Sequence, residues 1–175
     1  DKKYIDLIAK LYNQVSDNAI TFKNNFDLER GPYRVISVLE ESVNSTPFTV
    51  KGNFVDLFDP EIPVLKEKII NPGSQALLYN LGHIEKGDVL QVVATAARIS
   101  DEKTYKSGYS FIAKSPINTT NAMRIFMPRK PSQISVTNIN NEAVEFVSDY
   151  DSESKTIYLR FENSPDGISV KIDFE

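Results

Sequence analysis

The last third of the chain is written in a two-residue rhythm. Met123, Ile125 and Met127 alternate with Arg124 and Phe126. Ile134 and Val136 alternate with Gln133, Ser135 and Thr137. Ile157, Leu159 and Phe161 alternate with Thr156, Tyr158 and Arg160, and Ile168, Val170, Ile172 and Phe174 with Ser169, Lys171 and Asp173. Side chains on a strand point to opposite faces in turn, so this pattern predicts antiparallel strands with one dry and one wet face. Pro128 to Pro131, Asn138 to Glu142, Tyr150 to Ser154 and Ser164-Pro165-Asp166-Gly167 read as the turns between them.

The rhythm is less regular upstream, but the segments still read as strands. Tyr33 to Leu39 is apolar and β-rich, and Phe48 to Phe58 carries Gly52 in its middle, where a bulge or bend is expected. Val64 to Ile70 leads into Asn71-Pro72-Gly73, whose Pro and Gly stand where a type II turn needs them, and Gln75 to Leu81 follows. Gly87-Asp88 then introduces Val89 to Ile99, apolar on both faces, which predicts a central strand buried on both sides; its alanines make a helix the competing reading. Tyr105, Ser107, Tyr109, Phe111 and Ala113 are expected on one face of the next strand. Only the start of the chain has helical spacing. Tyr4, Ile8, Leu11 and Val15, widened by Ile5, Leu7 and Tyr12, predict an amphipathic helix from about Lys3 to Val15 that must pack on something.

These elements predict an all-β fold, mainly an antiparallel β-sandwich of immunoglobulin-like or jelly-roll-like kind, with one N-terminal helix. Residues 1–25 are expected to be a helix and linker packing on the sandwich, and residues 26–175 the sandwich itself, with a sub-boundary near Ser115-Pro116. The 175 residues suffice for a core without covalent staples. Ile and Val number 31 against 20 for Ala and Leu, which favours strands over helices.

Composition then removes several chemistries. Cysteine is absent, so disulfides, thiol catalysis and thiolate metal sites are excluded. The net charge of -4 argues against a general nucleic-acid binder, and no apolar run is long enough to insert into a membrane as a helix. The opening Asp1-Lys2-Lys3 has no Met and no long apolar run behind it, as expected of a processed chain or a fragment without a signal peptide. The single histidine, His83, follows a strand and has no Gly-x-Ser-x-Gly near it, so it reads as a loop residue rather than a general base.

Three groups of residues keep some chemical interest. Tyr105 and Tyr109 on one strand face, and Tyr158 and Arg160 on a wet face, are candidates for glycan contact, because tyrosine rings can stack on sugars. Asp149, Asp151 and Glu153 have the every-other-residue spacing that can point oxygens at Ca2+, although Asp and Ser are also ordinary turn residues. Asp56, Asp59 and Glu61 form an acidic knot from which a small carboxylate-dependent hydrolase could be built, although the flanking Pro60 and Pro63 favour an extended, rigid crossover.

Several stretches together carry a resemblance. They are Leu28 to Tyr33, Val55 to Pro60, Asn71 to Tyr79, Lys114 to Asn121 and Phe161 to Gly167. From about Phe26 onward the chain resembles the C-terminal β-rich region of large bacterial proteins of uncharacterised function found where polysaccharide breakdown is encoded. The layout is similar to the β-sandwich that follows the catalytic barrel in α-galactosidase-like and raffinose-synthase-like glycoside hydrolases. The resemblance implies a secreted or periplasmic bacterial setting and a neighbouring catalytic domain as partner. It carries over no catalytic residue, since that family's acid and nucleophile lie on a barrel that one helix and 175 residues cannot build. The expected function is therefore a non-catalytic accessory module with weak glycan contact. It needs no cofactor, with Ca2+ as the alternative. A carbohydrate-binding module using tyrosine platforms is the second expectation, and the carboxylate hydrolase the third.

Overall fold

The computed structural model describes residues 2–84 and 90–174. The chain divides into two compact units. The first comprises Asp1–Phe58 and Leu65–Asn80, and the second Asp59–Val64 and Leu81–Glu175. Ser115 thus lies inside the second unit rather than at a boundary: its amide donates to the Ser164 carbonyl at 3.3 Å. Both units are built of antiparallel strands, and the only α-helix among the described residues is N-terminal.

The first unit opens with helix α1 (Lys2–Tyr12). It ends earlier than its periodicity predicts, because Gln14 and Val15 donate to Leu11 and Tyr12 in a tightening 3-10 turn. The expected packing of its apolar stripe is not found: no residue of α1 is buried. Strands β1 (Asn25–Arg30), β2 (Tyr33–Val38), β3 (Phe48–Asp56), β4 (Val64–Ile70) and β5 (Gln75–Asn80) follow. They form one sheet in the order β1-β2-β5-β3-β4. Strand β1 was not foreseen, although Phe26 and Leu28 alternate with Asp27 and Glu29 within it. One face carries the apolar cluster of Ile36, Val38, Val50, Phe54, Ile70, Ala76 and Leu78. The predicted turn forms as read: Gly73 has φ 80°, and the Ser74 amide donates to the Asn71 carbonyl at 3.0 Å.

The second unit is the sandwich. Its strands are β6 (Gln91–Thr95), β7 (Arg98–Tyr105), β8 (Gly108–Lys114), β9 (Thr120–Phe126), β10 (Pro131–Thr137), β11 (Phe146–Asp151), β12 (Thr156–Glu162) and β13 (Ile168–Phe174). One sheet has the order β10-β13-β8-β7 and the other β11-β12-β9-β6. The dry positions read from the sequence meet between them: Phe111, Met123, Ile125, Met127, Val136, Ile157, Leu159, Val170 and Ile172 are all at most 2 % exposed.

Two strand predictions in this unit are corrected. The apolar run to Ile99 is not a central strand. It splits into β6 and β7, which lie on the edges of different sheets. The Thr95 hydroxyl accepts the Ala97 amide at 3.0 Å and turns the chain between them. Gly87, Asp88 and Val89 of that prediction lie outside the described residues. Tyr105 and Tyr109 do not share a strand either: β7 ends at Tyr105, Lys106-Ser107 turn the chain, and Gly108 opens β8. In this hairpin Gly108 pairs with Tyr105 and Tyr109 with Thr104, so the two tyrosines point to opposite faces.

Candidate functional site

The outward face of the sheet containing β12 collects four of the polar residues that drew attention in the sequence, Tyr158, Arg160, Asp149 and Asp151. Along β12 this face presents Thr156, Tyr158 and Arg160. Their cross-strand partners are Asp151, Asp149 and Val147 on β11, and Phe126, Arg124 and Ala122 on β9. Period-two reasoning makes this face wet, yet Thr156 is fully buried, Arg124 is 6 % exposed and Tyr158 9 %. The cover comes from the short segment 59–64, which belongs to the same unit.

Segment 59–64 is shaped by its own residues first. The Asp59 carboxylate accepts the Glu61 amide at 2.9 Å, and the Asp59 carbonyl accepts the Ile62 amide at 2.8 Å. Ile62, between Pro60-Glu61 and Pro63, is held at φ 39°, a left-handed conformation that a β-branched residue rarely adopts. What holds it there is Arg124. Its guanidinium donates from Nε at 3.2 Å and from Nη2 at 3.0 Å to the Ile62 carbonyl oxygen. The guanidinium also lies over the Tyr158 ring, 5.2 Å from its centroid. Burial lowers the Arg124 pKa, against the opposing pull of Asp149 and Asp151.

Glu61 is fixed by both of its oxygens. Tyr158 donates its hydroxyl to Glu61 Oε2 at 2.6 Å, and Arg160 donates from Nη1 to Oε1 at 3.0 Å. Burial, followed by the bond to Glu61, raises the Tyr158 pKa above that of an ordinary phenol. Tyr158 therefore offers its hydroxyl to Glu61 and no open ring to a sugar. Arg160 remains about half exposed. Beside it runs a groove of about 490 Å³, with Val144, Phe146, Val147 and Phe161 along it and Glu145 and Glu162 among its lining residues.

Tyr105 and Tyr109 lie on β7 and β8 of the other sheet, away from this face. Tyr109 is 2 % exposed, and its hydroxyl donates to Glu102 at 2.5 Å. Tyr105 is 44 % exposed, with its hydroxyl 2.8 Å from that of Ser110. A paired tyrosine platform is therefore not what this hairpin builds. Asp151 caps its turn: its carboxylate accepts the Glu153 amide at 2.9 Å and the Ser154 hydroxyl at 2.7 Å. Asp149 stays exposed on β11, and no cluster of three or more acidic or histidine side chains is placed to hold a metal among the described residues. The acidic knot is divided. Asp56, 2 % exposed in the first unit, is ion-paired with Lys68, whereas Asp59 and Glu61 serve segment 59–64 in the second. His83 is exposed at the end of a 3-10 turn.

Arg124 is the residue that sequence reasoning passed over. It occupies a position of the alternation that reads as solvent-facing. The one available signal was the proline-flanked segment Asp59-Pro60-Glu61-Ile62-Pro63-Val64, which had no assigned packing partner.

No protein family, curated protein or solved structure matches the chain.

Proposed function

We propose that the chain is a non-catalytic accessory β module of a secreted or periplasmic carbohydrate-active protein, with weak glycan contact. The observation that carries the accessory part is the distribution of uncovered apolar side chains. Among the described residues, 18 large hydrophobic side chains stand exposed, and the 14 from Tyr4 to Ile69 lie in the first unit. A concentration of this kind marks a surface made to be covered by another body. The carbohydrate setting follows from the resemblance of the stretches between Leu28 and Gly167, and the reaction in this reading belongs to a neighbouring catalytic domain. Glycan contact is assigned to the groove beside Arg160, where an apolar wall and a half-exposed guanidinium suit the mixed C–H and hydroxyl surface of a sugar.

The test is a glycan array with the purified chain, its Arg160→Ala and Tyr105→Ala variants, and a parallel turnover assay on chromogenic glycosides. The expected result is weak binding that Arg160→Ala abolishes and Tyr105→Ala leaves intact, with no turnover. Binding lost with Tyr105→Ala alone would move the site to the β7–β8 hairpin. Turnover abolished by Glu61→Gln would replace this reading with a carboxylate hydrolase.

A further inference from the structure

The first unit carries two exposed apolar surfaces. One is a convex stripe on α1, where Tyr4, Leu7, Ile8 and Leu11 are 46–72 % exposed and Val15, just beyond it, is 84 % exposed. The other is flat. Phe26 and Leu28 on β1 and Tyr33 and Val35 on β2 share one face of the hairpin, because Leu28 pairs with Val35 and Arg30 with Tyr33. These four are 40–55 % exposed. The opposite face of the same hairpin is occupied by Arg34, bound to Asp27 at 2.8 Å and to Glu29 at 3.0 Å.

We propose that these surfaces close on each other between two copies of the chain, α1 of one copy lying across the β1–β2 face of the other. The proposal rests on the accessory reading above and names the body that covers the apolar surface.

Three observations favour a second copy as the occupant. A two-fold axis lets one contact, made twice, cover both the stripe and the face, and most protein oligomers use such self-complementary interfaces. The area is sufficient as well. Nine large side chains, about half exposed at roughly 200 Å² each, offer on the order of 900 Å² per copy, and a standard stable interface takes about 800 Å² per partner. Residues 13–24 join helix to hairpin and can extend to about 40 Å, enough for α1 to reach a neighbouring copy.

The experiment is sedimentation equilibrium of the 175-residue chain and of three variants, Ile8→Asp, Leu28→Asp and Val147→Asp, each checked for folding by circular dichroism. The replaced side chains are all exposed, at 46 %, 46 % and 60 % respectively, so the variants keep their core. The expected result is a dimer of the 19.7 kDa chain, a dissociation constant raised at least about tenfold by Ile8→Asp and by Leu28→Asp, and no change with Val147→Asp. A wild-type monomer would overturn the proposal, including one in which hydrogen exchange finds α1 protected by folding back on its own sheet. A dimer indifferent to both Ile8→Asp and Leu28→Asp would overturn it too. The accessory reading fails separately, by glycoside turnover, whatever the mass measured here.

Discussion

Arg124 and Ile62 stand 62 residues apart in sequence, yet the guanidinium of one grips the carbonyl of the other with two N–H groups, at 3.0 and 3.2 Å. This contact pins segment 59–64 onto the sandwich, presents Glu61 to Tyr158 and Arg160, and holds Ile62 at its positive φ of 39°. Replacing Arg124 by Met keeps most of the side-chain volume but leaves the Ile62 carbonyl without its donors. The expected cost is about 1–3 kcal/mol in urea unfolding, the usual penalty for orphaning a buried polar group. Hydrogen exchange adds the local readout: amides of 59–64 should lose protection first, while β13 should keep its own. Equal loss in both would show that Arg124 serves the whole unit rather than the segment.

Asp56 and Lys68 make a comparable test in the first unit. The carboxylate is 3 % exposed by side chain and its ammonium partner 25 %. Lys68→Met should be the severe change, about 3–5 kcal/mol, because it strands a buried negative charge. The double variant Asp56→Asn, Lys68→Met should recover part of that loss. A double variant no more stable than Lys68→Met alone would mean that the charge of Asp56 is not what Lys68 compensates.

Alkaline pH should weaken the second unit. Burial raises the pKa of both Tyr109 and Tyr158, and hydrogen bonds to Glu102 and Glu61 add to it. A raised folded-state pKa means that the native protein holds the phenolic proton more tightly than the unfolded chain does. The stabilisation is complete below the ordinary tyrosine pKa of about 10 and is lost as pH rises beyond it. Thermal melts between neutral pH and pH 11 should fall steeply above pH 10. Tyr109→Phe and Tyr158→Phe should each flatten that fall, at a cost near neutrality of about 1 kcal/mol.

Two glycines separate steric from conformational demands. A Cβ at Gly108 would lie 2.6 Å from the backbone oxygen of Ile172, so Gly108→Ala has to push β8 away from β13 and should cost about 2–3 kcal/mol. Gly31, at φ 55°, has open space around it, and Gly31→Ala should cost only the left-handed penalty of about 1–2 kcal/mol. If Gly31→Ala proves the more damaging of the two by chemical denaturation, the packing of β8 on β13 is looser than these distances imply.

How much of this could be read beforehand depended on how local the physics was. Alternation located β9, β10, β12 and β13 and named their core residues, because the two-residue repeat of a strand depends on neighbours in the chain alone. The Asn71-Pro72-Gly73 turn was legible for the same reason. The site was legible only in part. Tyr158 and Arg160 were singled out together, as neighbours on one strand face, and Glu61 apart from them in an acidic knot, and nothing in the spacing said that Glu61 meets the pair.

By itself, then, the sequence determined the all-β character, the helix at the start, the dry faces of the sandwich and the Pro-Gly turn, each an outcome of short-range backbone preference and side-chain period. The tertiary structure alone decided which face stayed wet. The turn at Lys106-Ser107 sent Tyr105 and Tyr109 to opposite sides of a hairpin, since cross-strand partners share a face and chain neighbours do not. Segment 59–64 crossed over β9 and β12 and turned an apparently solvent-facing arginine into a buried latch. Burial is a property of what lies above a residue, and here that cover comes from 62 positions away.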